Sequence, residues 1–270
     1  MSDLLRPILE RKRREVARRR RHALPPLDVP ARVASPEALR RPEGGLPRVI
    51  AEVKFRSPSA GAIRTWAPGS GVSVARGYVR AGAAAVSVLC DRVGFGGSPL
   101  ELRRVARAVA PVPVLFKEFV LDPLQIELAA RCGASMLLLL VCALDDQDLR
   151  LLVTQSLARG IEPVVEAATE QELERALATG ARVVGINARD LNTFVVDPER
   201  AERLVEKIPK ERVAVYMSGV NDADDLRDIA RGRADAVLVG SALMRKSDPG
   251  AELSGWLAPR DSAVNEGVSA

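Results

Sequence analysis

Five side chains able to trade protons or hold an anion stand at the ends of short apolar runs. They are Glu52 and Lys54 in VIAEVKFRSPSAG (49–61), Lys117 in VLFKEF (114–119), Glu166 in VVEA (164–167) and Asn187 in GINARDL (185–191). Lysine beside glutamate is the combination for general acid/base work, in which one group delivers a proton and the other collects one. The only histidine, His22, lies among arginines and is a poor candidate, so acid/base chemistry here falls to Lys, Glu or Asp. A second set has the look of a phosphate cradle. YMSGV (216–220) and VLVGSALMR (237–245) place Ser/Gly pairs after apolar runs, so Gly219, Gly240 and Ser241 can offer backbone N–H groups to an anion. Ser57 could complete that cradle and Arg56 could add charge. The competing reading makes the charged residues an ion-pair network holding strand ends together, and the Ser/Gly pairs ordinary tight turns.

Side chains so far apart in sequence meet only if the chain gathers its strand ends on one face, as a (β/α)8 barrel does. Eight apolar runs, at about 49–54, 85–90, 113–118, 135–141, 162–167, 183–188, 213–218 and 234–240, supply the strands. Between them lie stretches rich in Leu, Ala and Arg. Five of these rejoin a strand through glycine, at Gly82, Gly133, Gly160, Gly180 and Gly232, where a helix C-cap is expected. Ser73, Asp122, Asp145, Thr169, Asp197 and Asp222 or Asp224 are the expected N-caps. A doubly wound open sheet shares this alternation, but no GxGxxG follows the first strand and eight even units suit closure. The expected organisation is a basic helix and irregular lead-in packed on the barrel (1–46), the α/β barrel (47–258) and a disordered tail (259–270).

Composition narrows the classes further. The chain is 47% apolar and 3% aromatic, so its core is aliphatic, as parallel sheets prefer. No apolar run reaches the roughly 18 residues of a membrane span, and no secretory leader pattern follows Met1. Cys90, Cys132 and Cys142 lack metal-ligand spacing and read as buried free thiols of a reducing, cytoplasmic compartment. Residues 1–22 carry nine Lys/Arg against Asp3, Glu10 and Glu15, which accounts for the whole net charge of +5. Leu5, Ile8, Leu9 and Val16 give that segment an apolar stripe, and no aromatic residue is interleaved for base stacking. It reads as a solvated amphipathic helix, with contact to a polyanion such as nucleic acid the disfavoured alternative.

IAEVKFRSPSAG resembles the first-strand signature of the indole-3-glycerol-phosphate synthase family. FGGSPLELRRV, PVLFKEFVLDPLQI, EPVVEA, VGINARDLNTF and LVGSALMR resemble its later motifs in the same order, and ILERKRREV its N-terminal helix. The resemblance implies a carboxy-lyase of tryptophan biosynthesis that closes, decarboxylates and dehydrates 1-(2-carboxyphenylamino)-1-deoxyribulose 5-phosphate. It calls for no metal or organic cofactor, because the aniline nitrogen supplies the electron push. By this resemblance Lys117 is the general acid, Glu166 its acid/base partner, and Lys54 the cation that meets the substrate carboxylate. Glu52 and Asn187 orient the lysines and bind hydroxyls, and Arg189 braces the site. Pro58, Phe95 and Phe119 surround the anthranilate ring, and Met217 and Ser218 touch substrate. The implied partners are the phosphosugar and no membrane, in a monomer or in transient contact with other tryptophan-pathway enzymes. No fused isomerase domain is expected after the eighth unit.

The pattern breaks at the seventh strand. Where the family reads Ser-Glu-Ser-Gly or Ala-Glu-Ser-Gly, this chain has Tyr216-Met217-Ser218-Gly219, which removes one negative charge and an acceptor from the pocket. Gly94-Phe95 replaces an aromatic pair, Glu118 stands for an aspartate, and Cys90 for a common threonine. The standard reaction is the main expectation. The alternatives are a lyase with a shifted aryl-amino phosphosugar substrate, or a non-catalytic phosphosugar-binding paralogue.

Overall fold

The computed structural model describes residues 5–22, 24, 34–58, 61–190 and 195–259. Eight parallel strands, β1 (Arg48–Val53), β2 (Ala85–Leu89), β3 (Val114–Lys117), β4 (Met136–Leu140), β5 (Glu162–Ala167), β6 (Val183–Asn187), β7 (Val213–Met217) and β8 (Ala236–Val239), close into one barrel. Each pairs with its sequence neighbour, and β8 returns to β1 with Val49 opposite Val237 and Ala51 opposite Val239. Closure leaves the barrel sheet without an edge strand.

The strands are buried on both faces, which is why they read as unbroken apolar runs. Successive side chains alternate. Ile50, Leu115, Leu138, Val164, Val215 and Leu238 fill the barrel interior. Val49, Val53, Phe116, Val165, Ile186 and Val239 face the helices instead. The inward set carries the chemistry: continuing it by two residues leads from Ile50 to Glu52 and from Leu115 to Lys117. Several strands stop a residue short of the ends expected from sequence, which leaves Lys54, Glu118 and Ser218 just beyond the ladder. A two-stranded hairpin, Arg56–Ser57 with Gly61–Ala62, follows β1 and gives no apolar signal in the sequence.

Around the barrel run α2 (Ser70–Arg80), a short α3 (Arg92–Phe95), α4 (Pro99–Val109), α5 (Pro123–Arg131), α6 (Asp146–Ala158), α7 (Glu170–Ala178), α8 (Pro198–Glu206), α9 (Ala223–Ile229), a short α10 (Ser241–Met244) and α11 (Pro249–Leu257). Asp122, Asp145, Thr169, Asp197 and Asp222 accept backbone N–H bonds as N-caps, Asp222 rather than Asp224. Gly82, Gly133, Gly160 and Gly180 adopt the left-handed backbone expected after a helix, whereas Gly232 does not.

Ser73 is not a cap. Helix α2 begins at Ser70, and the side chain that serves its first N–H groups belongs to α4: Glu101 accepts from Gly69 N at 3.2 Å and Gly71 N at 2.9 Å. Glu101 is 3% exposed, so those bonds lie in the interior, where a charged acceptor counts for more than a surface cap. Glu101→Ala is expected to cost about 2–3 kcal/mol of stability in urea denaturation. A loss below about 0.5 kcal/mol would place the start of α2 under other control.

The N-terminal helix α1 (Leu5–Arg19) buries Leu5, Leu9 and Val16 as its apolar stripe requires. Its basic face is not wholly solvated, however, because Lys12 is buried as well. Within the lead-in, Pro36–Leu39 forms a 3-10 turn that buries Leu39, and residues 23 and 25–33 lie outside the described residues. So does the tail beyond Pro259. Cys90 and Cys132 are buried free thiols, whereas Cys142 is only partly buried. No described helix is long and apolar enough to cross a membrane.

Candidate active site

The C-terminal ends of the strands open into a cavity of about 690 Å³, within the range of sites that enclose a small organic ligand. At its floor the Glu52 carboxylate bridges two lysines. Lys54 Nζ lies 2.9 Å from Oε1, Lys117 Nζ 3.8 Å from Oε2, and the Ser87 hydroxyl donates to Oε2 at 3.2 Å. Burial alone would raise the Glu52 pKa, but Lys54 and Lys117 together hold it below the ordinary carboxylate value. Glu52 is therefore a fixed anion that keeps two ammonium groups converging on one point.

Glu166 faces the same space under different forces. Its Oε1 accepts from Asn187 Nδ2 at 2.7 Å, while its buried Oε2 has no hydrogen-bond partner among the described residues. Burial raises its pKa, and the nearby Lys117 only partly offsets this. Two carboxylates within one cavity are thus driven apart in proton affinity, the arrangement that separates an acid/base group from an electrostatic one. Asn187 is held in turn by Arg189, whose backbone N–H donates to its Oδ1 at 2.9 Å. That bond leaves the amide nitrogen to point at Glu166.

The opposite wall is made of backbone. Ser218 and Gly219 follow β7 with φ of 68° and 81°, and a non-glycine residue in the left-handed region is strained. Gly240 follows β8, where an added Cβ would lie 2.7 Å from Glu52 Oε1, so this loop can approach the acid cluster only as glycine. Ser241 opens α10 on the same wall. Phe95 and Phe119 stand elsewhere on the rim with ring centroids 6.2 Å apart. Met217 is 1% exposed at the end of β7, and a Cβ on Gly185 would meet its sulfur at 2.4 Å. The thioether therefore lies across the glycine of the neighbouring strand.

The cavity wall contains Glu52, Lys54, Ser57, Pro58, Phe95, Lys117, Phe119, Glu166, Asn187, Arg189, Met217, Ser218, Gly219, Gly240 and Ser241. Of the residues singled out in the sequence, Arg56 is not on it. In the hairpin Ser57 turns inward, so Arg56 turns outward, where it donates to the carbonyls of Arg92 and Val93. It braces the loop that carries Phe95. Sequence reasoning missed Arg245, which lines the cavity one helical turn after Ser241, on the face where an i,i+4 neighbour falls.

A closed (β/α)8 barrel with a lysine–glutamate set lining the cavity at its C-terminal mouth has the architecture of a barrel enzyme. Among solved structures, 3-hexulose-6-phosphate synthase from Salmonella typhimurium shares this fold at TM-score 0.59 and 14% identity, covering 78% of this chain and 98% of that one. The sequence is more specific. The indole-3-glycerol phosphate synthase family pattern matches residues 5–255. The chain is 42% identical over 261 residues to indole-3-glycerol phosphate synthase of Opitutus terrae, covering 93% of this chain and 97% of that one. It is 46% identical over 219 residues to indole-3-glycerol phosphate synthase 2 of Streptomyces coelicolor, covering 81% and 82%. The chain belongs to the indole-3-glycerol phosphate synthase family, whose members are carboxy-lyases.

Proposed function

We propose that this enzyme converts 1-(2-carboxyphenylamino)-1-deoxyribulose 5-phosphate into indole-3-glycerol phosphate, carbon dioxide and water, as a cytoplasmic step of tryptophan biosynthesis. The observation that carries the reading is the lysine pair on Glu52 facing the buried Glu166, itself held by Asn187, in one cavity. The ring carbon bearing the carboxylate attacks the ribulose carbonyl, and Lys117 delivers a proton to the developing alkoxide. Lys54 neutralises the anthranilate carboxylate until carbon dioxide departs. Departure of carbon dioxide returns the bonding electrons to the aryl ring and restores its aromaticity. A lysine proton then accompanies the leaving hydroxyl, and Glu166 takes the proton lost from the former C1 methylene as the pyrrole double bond forms. Gly219, Gly240 and Ser241 supply phosphate donors, Arg245 adds a cation at that end, and Phe95, Phe119 and Pro58 enclose the aryl ring.

Met217 is the feature that favours a second reading, in which an apolar wall accepts an altered aryl-amino phosphosugar. The test is turnover of the unsubstituted substrate by the natural protein and by Met217→Glu. The natural protein is expected to form indole-3-glycerol phosphate, with Met217→Glu changing kcat/KM by no more than about tenfold. Silence of the natural protein, with activity appearing in Met217→Glu, would transfer the assignment to the altered substrate.

A further inference from the structure

Lys12 is a lysine whose ammonium lies in the protein interior. Its side chain is 1% exposed, and Nζ stands 3.0 Å from Asp91 Oδ1, 3.0 Å from Glu118 Oε2 and 2.9 Å from Glu15 Oε2. The three donors of an ammonium are thereby all engaged. Burial disfavours the charge, but Glu118, Glu15 and Asp91 outweigh it and hold the Lys12 pKa above the ordinary lysine value. Lys12 is a permanent cation, supplied by α1 to the mouth of the barrel.

The other oxygens of its two barrel partners matter most. Asp91 Oδ2 accepts from Gly94 N at 2.7 Å, which caps the short helix carrying Phe95. Glu118 Oε1 accepts from Phe119 N at 2.8 Å. Each carboxylate therefore has one oxygen on Lys12 and the other on the backbone of a segment bearing one of the two cavity-lining rings. Arg11 reinforces the first tie, with Nη2 3.2 Å from Asp91 Oδ1.

We propose that Lys12 is a positioning residue for the aryl end of the substrate: one buried ammonium joins Asp91 to Glu118 and so sets the spacing of Phe95 and Phe119. This rests on the reading that those rings receive the anthranilate. Without the cation, two buried carboxylates confront each other and must separate or take up protons, so both ring-bearing segments shift. The phosphate end is built from loops after β7 and β8 and, among the described residues, shares none of these contacts, so loss of Lys12 selectively weakens recognition of the ring.

Lys12→Met keeps length and apolar bulk while removing the charge. It is expected to raise KM for the carboxyphenylamino substrate about tenfold, with kcat within about threefold of the natural protein. Inhibition by ribulose 5-phosphate, which lacks the ring, is expected to stay within about twofold. Glu118→Gln, which keeps an acceptor for Phe119 N–H, covers the case in which Lys12→Met does not fold, and is expected to raise the same KM about threefold. An unchanged KM in both variants, or a KM and ribulose 5-phosphate inhibition constant that rise together, overturns the positioning role. Failure of the natural protein to turn over the substrate would instead overturn the proposed function on which the role rests.

Discussion

Lys117→Met is expected to lower kcat/KM by about a thousandfold, the middle of the range for a general acid in a protected site. Lys117 ends β3; its side chain is only 19% exposed and its Nζ lies 3.8 Å from Glu52 Oε2. That distance is too long for a hydrogen bond, so the ammonium is placed by charge alone and its N–H groups remain free to turn to an incoming oxygen. The fold should tolerate the change. Glu52 keeps Lys54 at 2.9 Å and Ser87 at 3.2 Å, so its buried charge is not stranded. Most of the loss should appear in kcat, because the interaction strengthens as the alkoxide forms and contributes less to ground-state binding. A variant with kcat/KM within about tenfold of the natural protein would remove Lys117 from the acid role.

Glu166→Gln should separate activity from stability. Removing an acid/base group is expected to cost about a hundredfold or more in kcat. The same substitution should make the folded protein more resistant to denaturation at neutral pH. The folded carboxyl has a pKa above the ordinary 4.5, with burial as the largest cause. As pH rises from 4.5 through the folded value, the native state keeps a proton that the unfolded chain has released. Stability therefore falls across that window and stays reduced above it. Glutamine retains an oxygen for the Asn187 amide and carries no charge to bury, so the variant should lack this component of the pH dependence. Melting curves from pH 4 to pH 8 test it. Parallel pH dependences in the two proteins would mean that Glu166 ionises in the fold at no cost. Stability given up to keep a functional carboxylate in place is the expected exchange at an active site.

Much of the architecture could be read along the chain because its causes are local. Two-residue alternation separates the interior of the barrel from its outer face, and acidic or hydroxyl residues stand where most helices begin. The catalytic candidates were legible for the same reason: a Lys or Glu that ends a β-branched run has few places to point other than the mouth. Arg56 shows the limit of that rule. It sits one residue from Ser57, yet the hairpin after β1 turns the two to opposite sides, and no apolar pattern announces the hairpin. Arg245 escaped notice because its route to the cavity depends on a single turn of helix after the eighth strand.

The sequence by itself determined the barrel, the order of its units and the face on which the acid/base groups gather, since propensity and periodicity act over a few residues. Only the tertiary structure decided what those groups feel. Lys12 looks like one charge in a solvated run until Glu118, 106 residues away, meets it in the interior. Glu101 looks like a helix surface residue until it caps α2, 30 residues before it. Gly240 looks like a turn glycine until Glu52 occupies the space its side chain would need. Burial and charge–charge energies depend on distance through space and on the exclusion of water, and neither is fixed until the barrel has closed.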